Sequence, residues 1–296
     1  MWPDKPSHTL AMNSETPASP IIPISRFSIF ATGLDHPECV AFNRAGNLWA
    51  GGEAGQIYRI DSTGRVEQVI TLGSFCAGLA FSPQDELFVC HPASGIVHVA
   101  ADGRHELFAS HAGEHRILCA NFGVFDDAGN YYVTDSGQWM KRNGFLLRFT
   151  PDGKGQVLAG PFGYANGLAL SADQLTLYMV ESDTDRVYRF ALKTDGSVES
   201  SSMFAEGVGR FPDGLALDTR DNLYASCYAS DEIIRIIPTG EKKLFAWDRW
   251  AILLGSPTNM AFGGPGMTEL YVANLARQTI TRAEIGVAGQ PLANQR

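Results

Sequence analysis

The sequence predicts an all-β fold: a six-bladed β-propeller with four antiparallel strands per blade. Three observations predict it. A five-residue phrase recurs six times, as Glu38-Cys39-Val40-Ala41-Phe42, Ala77-Gly78-Leu79-Ala80-Phe81, Asn121-Phe122-Gly123-Val124-Phe125, Asn166-Gly167-Leu168-Ala169-Leu170, Asp213-Gly214-Leu215-Ala216-Leu217 and Thr258-Asn259-Met260-Ala261-Phe262. The intervals between phrases are 39, 44, 45, 47 and 45 residues, the spacing of propeller blades. Each phrase leads through a Gly, Asp or Asn turn into further apolar runs, with no convincing long helix anywhere.

The elements follow in the same order in each repeat. The phrase is the innermost strand, so six such strands start near 38, 77, 121, 166, 213 and 258. Second strands are Leu48-Trp49-Ala50, Tyr131-Tyr132-Val133 and Leu223-Tyr224-Ala225. Third strands alternate apolar and polar residues, as in Gln56–Ile60, Arg186–Phe190 and Glu232–Ile236. Outer strands are Glu106–Ala109, Ser202–Ala205 and Lys243–Ala246. The sixth repeat lacks its own outer strand, with only a polar tail after Thr279–Arg282. Phe27–Ala31 matches the missing pattern and is expected to complete the last blade, closing the ring and removing exposed sheet edges. The propeller is thus expected over 25–292. Before it, residues 1–24 read as a disordered tail. Four prolines fall in the first 20 residues, without the charged start and apolar run of a signal peptide.

Composition narrows the functions. The chain has 296 residues, is 45% hydrophobic and 19% charged, and carries a formal net charge of −9. With no basic block, nucleic acid is not an expected partner. With no apolar stretch of 18 residues, neither is a membrane. The missing signal-peptide pattern sets the expected location as cytoplasmic, and in such a chain five scattered cysteines without CxxC spacing read as reduced packing thiols rather than a zinc cluster.

The first residue of each phrase carries the functional signal. Equivalent positions of six inner strands face one central axis, and here they read Glu, Ala, Asn, Asn, Asp, Thr. Four of these are oxygen ligands suited to a hard cation. Glu38, Asn166 and Asp213 offer two carboxylates and an amide carbonyl, with Asn121 on the same ring. Without Cys or His on the ring, calcium, magnesium or manganese suits it better than zinc. The competing reading is a wet channel mouth, with Asn-Gly and Asp-Gly serving tight turns.

Over about 25–292 the chain resembles the SMP-30/gluconolactonase family, also called regucalcin-like. The resemblance rests on Pro37-Glu38, Ala165-Asn166-Gly167-Leu168-Ala169, Pro212-Asp213-Gly214-Leu215-Ala216 and Leu270-Tyr271-Val272-Ala273-Asn274-Leu275. It implies one divalent ion, most often calcium, held by Glu38, Asn166 and Asp213. Magnesium, manganese and zinc are the alternatives. It also implies that Asn121 contacts metal or substrate, and that the activity is a metal-dependent hydrolysis, typically of a small-molecule lactone. Two departures stand out. Cys119 occupies a position where family members often carry Arg, and Gln138-Trp139-Met140 replaces a stretch that often carries an acidic residue. Both remove sugar-binding groups and point to a less polar ring or ester.

In the expected reaction the cation polarises a lactone carbonyl toward attack by water. Asp213 is the first candidate for general base and Asp135 the second. Substrate contacts are expected from Asn121, Cys119, His36 and Trp139. His36 lies two residues before Glu38, and Phe75 and Phe162 are candidates for an apolar pocket. His111, His115 and Arg116 lie on the approach to Asn121. Alternatives are a phosphotriesterase, a lyase or isomerase on the same site, and a non-catalytic calcium-binding propeller.

Overall fold

A computed structural model describes residues 19–296. It forms six four-stranded antiparallel sheets in a ring, as the repeat requires. Five sheets take their strands in chain order; the first, for example, is Val40–Phe42, Leu48–Gly51, Gln56–Ile60 and Val66–Thr71. The sixth runs Pro257–Gly263, Glu269–Asn274 and Thr279–Glu284, and its outer strand is Ser28–Thr32 from the other end of the chain. Ser28 pairs with Arg282 and Thr32 with Thr279, so closure of the ring by an N-terminal strand is observed.

The core lies between blades. Six apolar clusters occupy the six blade junctions, each drawing on two neighbouring sheets. At the junction of the fourth and fifth blades, Ala169, Val180 and Val187 meet Leu215, Leu217 and Leu223. Side chains of the inner three strands face these junctions, whereas the outer strand Val66–Thr71 has no buried residue. The turns after the inner strands are built alike: Gly46 N, Gly129 N and Asp221 N donate to the carbonyls of Asn43, Asp126 and Asp218. Asp126 and Asp218 also accept from Asn130 N and Asn222 N.

Both ends of the described chain extend the fold. Of the tail expected over 1–24, residues 1–18 lie outside the described residues. Ile21 N and Ile22 N, still within that range, donate to the carbonyls of Leu244 and Phe245 on the fifth blade's outer strand. At the other end, the polar residues after Glu284 are a strap across one face of the ring. Gly289 N donates to Met267 O and Gln290 N to Leu217 O. Asn294 Nδ2 donates to Phe42 O and to Asp85 Oδ1, and Arg296 pairs with Asp127 at 3.0 Å. Gln290 and Asn294 are buried. Sequence patterning missed this because a strap carries neither apolar period; it is held by single hydrogen bonds. Among the described residues no helix is long and apolar enough to cross a membrane.

Candidate functional site

The six phrases place their first residues around one mouth of the central channel. In four blades a register shift in the inner strand falls on that residue: pairing breaks between Ala120 and Gly123, Ala165 and Leu168, Pro212 and Leu215, and Pro257 and Met260. Asn121, Asn166, Asp213 and Thr258 therefore sit on bulges, the device that re-aims a side chain at a sheet's end. Asn166-Gly167 and Asp213-Gly214 are strand interior, not turns. Their glycines serve close packing instead. A Cβ on Gly167 would lie 2.3 Å from Asp213 O, and one on Gly214 would lie 2.5 Å from Thr258 O. In the first two blades the ladder starts later, at Val40 and Leu79.

Glu38, Asn166 and Asp213 are brought together on the axis. Burial and the neighbouring Asp213 charge push the Glu38 carboxyl well above the usual carboxylate range. Asp213 keeps part of its surface open to the channel, but dense protein surrounds its carboxyl. Burial raises it to about 8, against a lowering contact from the Asn166 amide. Asn166 Nδ2 donates to Ser182 Oγ at 3.2 Å, and Ser182 Oγ donates in turn to Pro212 O at 2.7 Å. The amide nitrogen is thereby turned toward the wall. Thr258 Oγ1 donates to Glu38 O at 2.6 Å, tying the sixth blade to the first at the ring. Asn121 is buried on the same ring, and Ala77 fills the second blade's position. Glu38 Oε2 is buried and has no hydrogen-bond donor. An orphaned buried carboxylate oxygen is costly. The donor set around it, two carboxylates and amide carbonyls, suits a hard divalent cation.

Asp135 lies behind the ring. It is fully buried, and its oxygens accept from Leu118 N, Cys119 N and Gly137 N at 3.0, 2.8 and 3.0 Å. His115 Nε2 is a fourth partner, 2.9 Å away. His115 belongs to a small hairpin, His111–Ala112 with His115–Arg116, inserted before the third blade. Asp135 thus fixes the backbone that delivers Asn121. Cys119 is partly buried at the mouth, and burial with the charges of Asp135 and Glu38 pushes its thiol up to about 12. His36 Nδ1 lies 2.9 Å from Asp35 and 3.3 Å from Glu53, at a partly exposed edge. Trp139 is 40% exposed, and its ring lies 4.8 Å from Tyr164 and 5.5 Å from Phe211. Phe162 packs into the core between the third and fourth blades. Glu181 is buried and accepts from Gly163 N and Arg142.

Three mouth residues escaped sequence reasoning. Burial and the charges of Cys119, Asp213, Glu38 and Asp183 raise the Tyr164 phenol, which places it beside the ring. Tyr228 likewise senses burial, Glu38 and Asp213. Phe211 stacks on Trp139. The signal for two of them was present: Tyr164 and Phe211 stand two residues before Asn166 and Asp213, as His36 and Cys119 stand before Glu38 and Asn121.

A six-bladed propeller with an oxygen-rich ring at one mouth defines a class of axial-site propellers. Within that class the chain belongs to the SMP-30/gluconolactonase/LRE-like family, whose model matches residues 28–276. It is 30% identical over 239 residues to the 6-deoxy-6-sulfogluconolactonase of Pseudomonas putida, covering 76% of this chain and 78% of that one. Among solved structures it resembles a calcium-binding regucalcin from Agrobacterium tumefaciens, with a TM-score of 0.79, 18% identity, and coverage of 93% of this chain and 99% of that one. It also resembles a gluconolactonase from Xanthomonas campestris, with a TM-score of 0.76, 20% identity, and coverage of 88% and 89%.

Proposed function

We propose that this protein is a divalent-cation-dependent hydrolase that opens lactones, with Glu38, Asn166 and Asp213 holding the ion and calcium as that ion. The observation that carries the reading is Glu38 Oε2, buried without a donor beside a second carboxyl and an amide whose nitrogen is already engaged. The lactonases among its relatives point the same way. When bound, the cation supplies Lewis-acid polarisation of the substrate carbonyl. Asn121 orients the substrate from the third blade. Asp213, partly open to the channel, takes a proton from the attacking water and returns it to the departing ring oxygen. The new bond joins water oxygen to the carbonyl carbon, the ring C–O bond breaks, and a hydroxy acid leaves. Asp135 has every oxygen engaged and acts as a positioning residue for Cys119 and Asn121. Burial raises the Cys119 thiol, which disfavours the nucleophilic thiolate, and water is the nucleophile of this reading.

The test is calorimetric calcium binding to the wild type and to Asp213→Ala, followed by a lactone panel with and without chelator. Tight binding lost in the variant, with chelator-sensitive ring opening, is the expected result. Calcium binding without turnover of any lactone would sink the lactonase reading and favour a phosphotriesterase or a lyase. Absence of calcium binding would reduce the ring to a wet channel.

A further inference from the structure

A second ring stands two residues before the first. Its members are His36, Phe75, Cys119, Tyr164, Phe211 and Ser256. Four of them, His36, Tyr164, Phe211 and Ser256, have φ of 44°, 60°, 48° and 50°. Residues other than glycine avoid that left-handed region, and such strain gathers at functional sites. The conformation recurs in register and is held by repeated bonds. Phe211 N donates to Asp185 Oδ1 at 2.9 Å, and Ser256 N to Asp231 Oδ1 at 2.8 Å. The carbonyls of Tyr164 and Phe211 accept from Ser182 N and Tyr228 N.

The second ring is two-sided. Over the third to fifth blades, Trp139 meets Tyr164 edge-to-face and stacks on Phe211 at 23°. Over the first blade the side chain is His36, with Asp35 and Glu53 against it. No Lys or Arg belongs to this ring. The nearby Arg142 is paired with the buried Glu181 at 2.7 Å.

We propose that Trp139, Tyr164 and Phe211 form the recognition wall of this site, and that it selects neutral lactones bearing an aryl or other planar apolar substituent. The inference rests on the lactonase reading above. Tyr164 lies within reach of the Glu38 and Asp213 charges, and Trp139 packs against both Tyr164 and Phe211, so a carbonyl held at the ring leaves its substituent beside these three rings. Trp139, 40% exposed, presents apolar surface to whatever enters. Covering such a ring with an apolar group is favourable, and an aromatic group adds stacking. A polyhydroxylated ring would have only the Tyr164 hydroxyl and the Trp139 indole N–H of this wall to replace the water it loses. An anionic one would meet the Asp35 and Glu53 carboxylates on the first-blade side.

The experiment uses the full chain saturated with calcium. It compares kcat/KM for an aryl-substituted δ-lactone, gluconolactone and an anionic sugar lactone. In parallel, calorimetry follows binding of the matching aryl lactam, which is not hydrolysed. The wild type should prefer the aryl lactone. Trp139→Ala should lower the aryl-to-gluconolactone ratio about tenfold, mainly through KM, and weaken lactam binding to match, the scale of one lost stacking partner and its buried area. Trp139→Phe should restore most of both. Opening of gluconolactone in preference to the aryl lactone would overturn the wall and leave the lactonase standing. A ratio unmoved by Trp139→Ala, in a variant that still binds calcium, would also overturn it. Trp139-dependent lactam binding without opening of any lactone would support the wall and remove the hydrolase.

Discussion

The two mouths of the central channel are built from opposite ends of the same six phrases, and they could hardly differ more. At one mouth the first residues are Glu38, Ala77, Asn121, Asn166, Asp213 and Thr258. There the strands bulge, the preceding backbone is strained, and a carboxylate oxygen lacks a partner. At the other mouth the last residues are Phe42, Phe81, Phe125, Leu170, Leu217 and Phe262. They enclose a cavity of about 80 Å³, closed from below by Gln290 and the segment from Leu292 to Gln295. One mouth spends stability to hold polar groups in a fixed geometry. The other recovers it by burying apolar surface under the strap.

Separate perturbations should pull the two mouths apart. Asp213→Ala should have the largest effect, weakening calcium binding by at least about a hundredfold, since even residues behind a metal's ligands cost 10–100-fold. In chelator at pH 8 this variant should melt no lower than wild type, because it removes a buried carboxyl that resists ionisation. A lower melting point would show that Asp213 is structural. Removing 287–296 should do the reverse. It strips the cover from the apolar mouth and should lower Tm by several degrees while calcium affinity, read by calorimetry, holds within about threefold. A comparable loss of affinity would mean that the mouths are mechanically coupled.

Acidity sharpens the contrast further. Glu38 and Asp213 both have raised proton affinity in the ion-free ring, Asp213 to about 8. An ion must displace those protons, so calcium affinity should fall as pH drops below about 8, by up to about tenfold per unit for each proton released. Calorimetry in buffers of differing ionisation enthalpy should register proton release. Affinity independent of pH between 6 and 8 would contradict it. The smallest effect is expected from Asp135→Asn. It weakens the four-donor cradle behind Cys119 and should cost about 1–3 kcal/mol of stability. It should also lower kcat through displacement of Asn121. A change in Tm without any change in kcat would make Asp135 purely structural.

The fold was legible because it is periodic: six phrases and their alternating strands are one instruction repeated, and even the crossing of Phe27–Ala31 into the last blade showed in its apolar pattern. The ring residues were legible for the same reason. The strap was not, since Gln290 and Asn294 act once each and through backbone partners. The partners of Asp135 were not legible either. Only the fold brings three backbone amides and His115 to its carboxylate. Tyr164 and Phe211 were marked only by their fixed offset from Asn166 and Asp213, because their left-handed backbone is one that a sequence normally advertises with glycine.

Ring closure by Ser28–Thr32 has a consequence for the order of events in synthesis. Within the propeller that strand is synthesised before every other, and its partner Thr279–Glu284 after every other. For most of translation its edge is unpaired, and the final blade is the fold's longest-range contact and therefore its slowest. Until it forms, the nascent protein is an open arc whose two free sheet edges invite a neighbouring chain. Once it forms, the two ends of the ring lie side by side in one sheet, and a short peptide joining them would make the propeller a continuous loop that can be opened between any two blades.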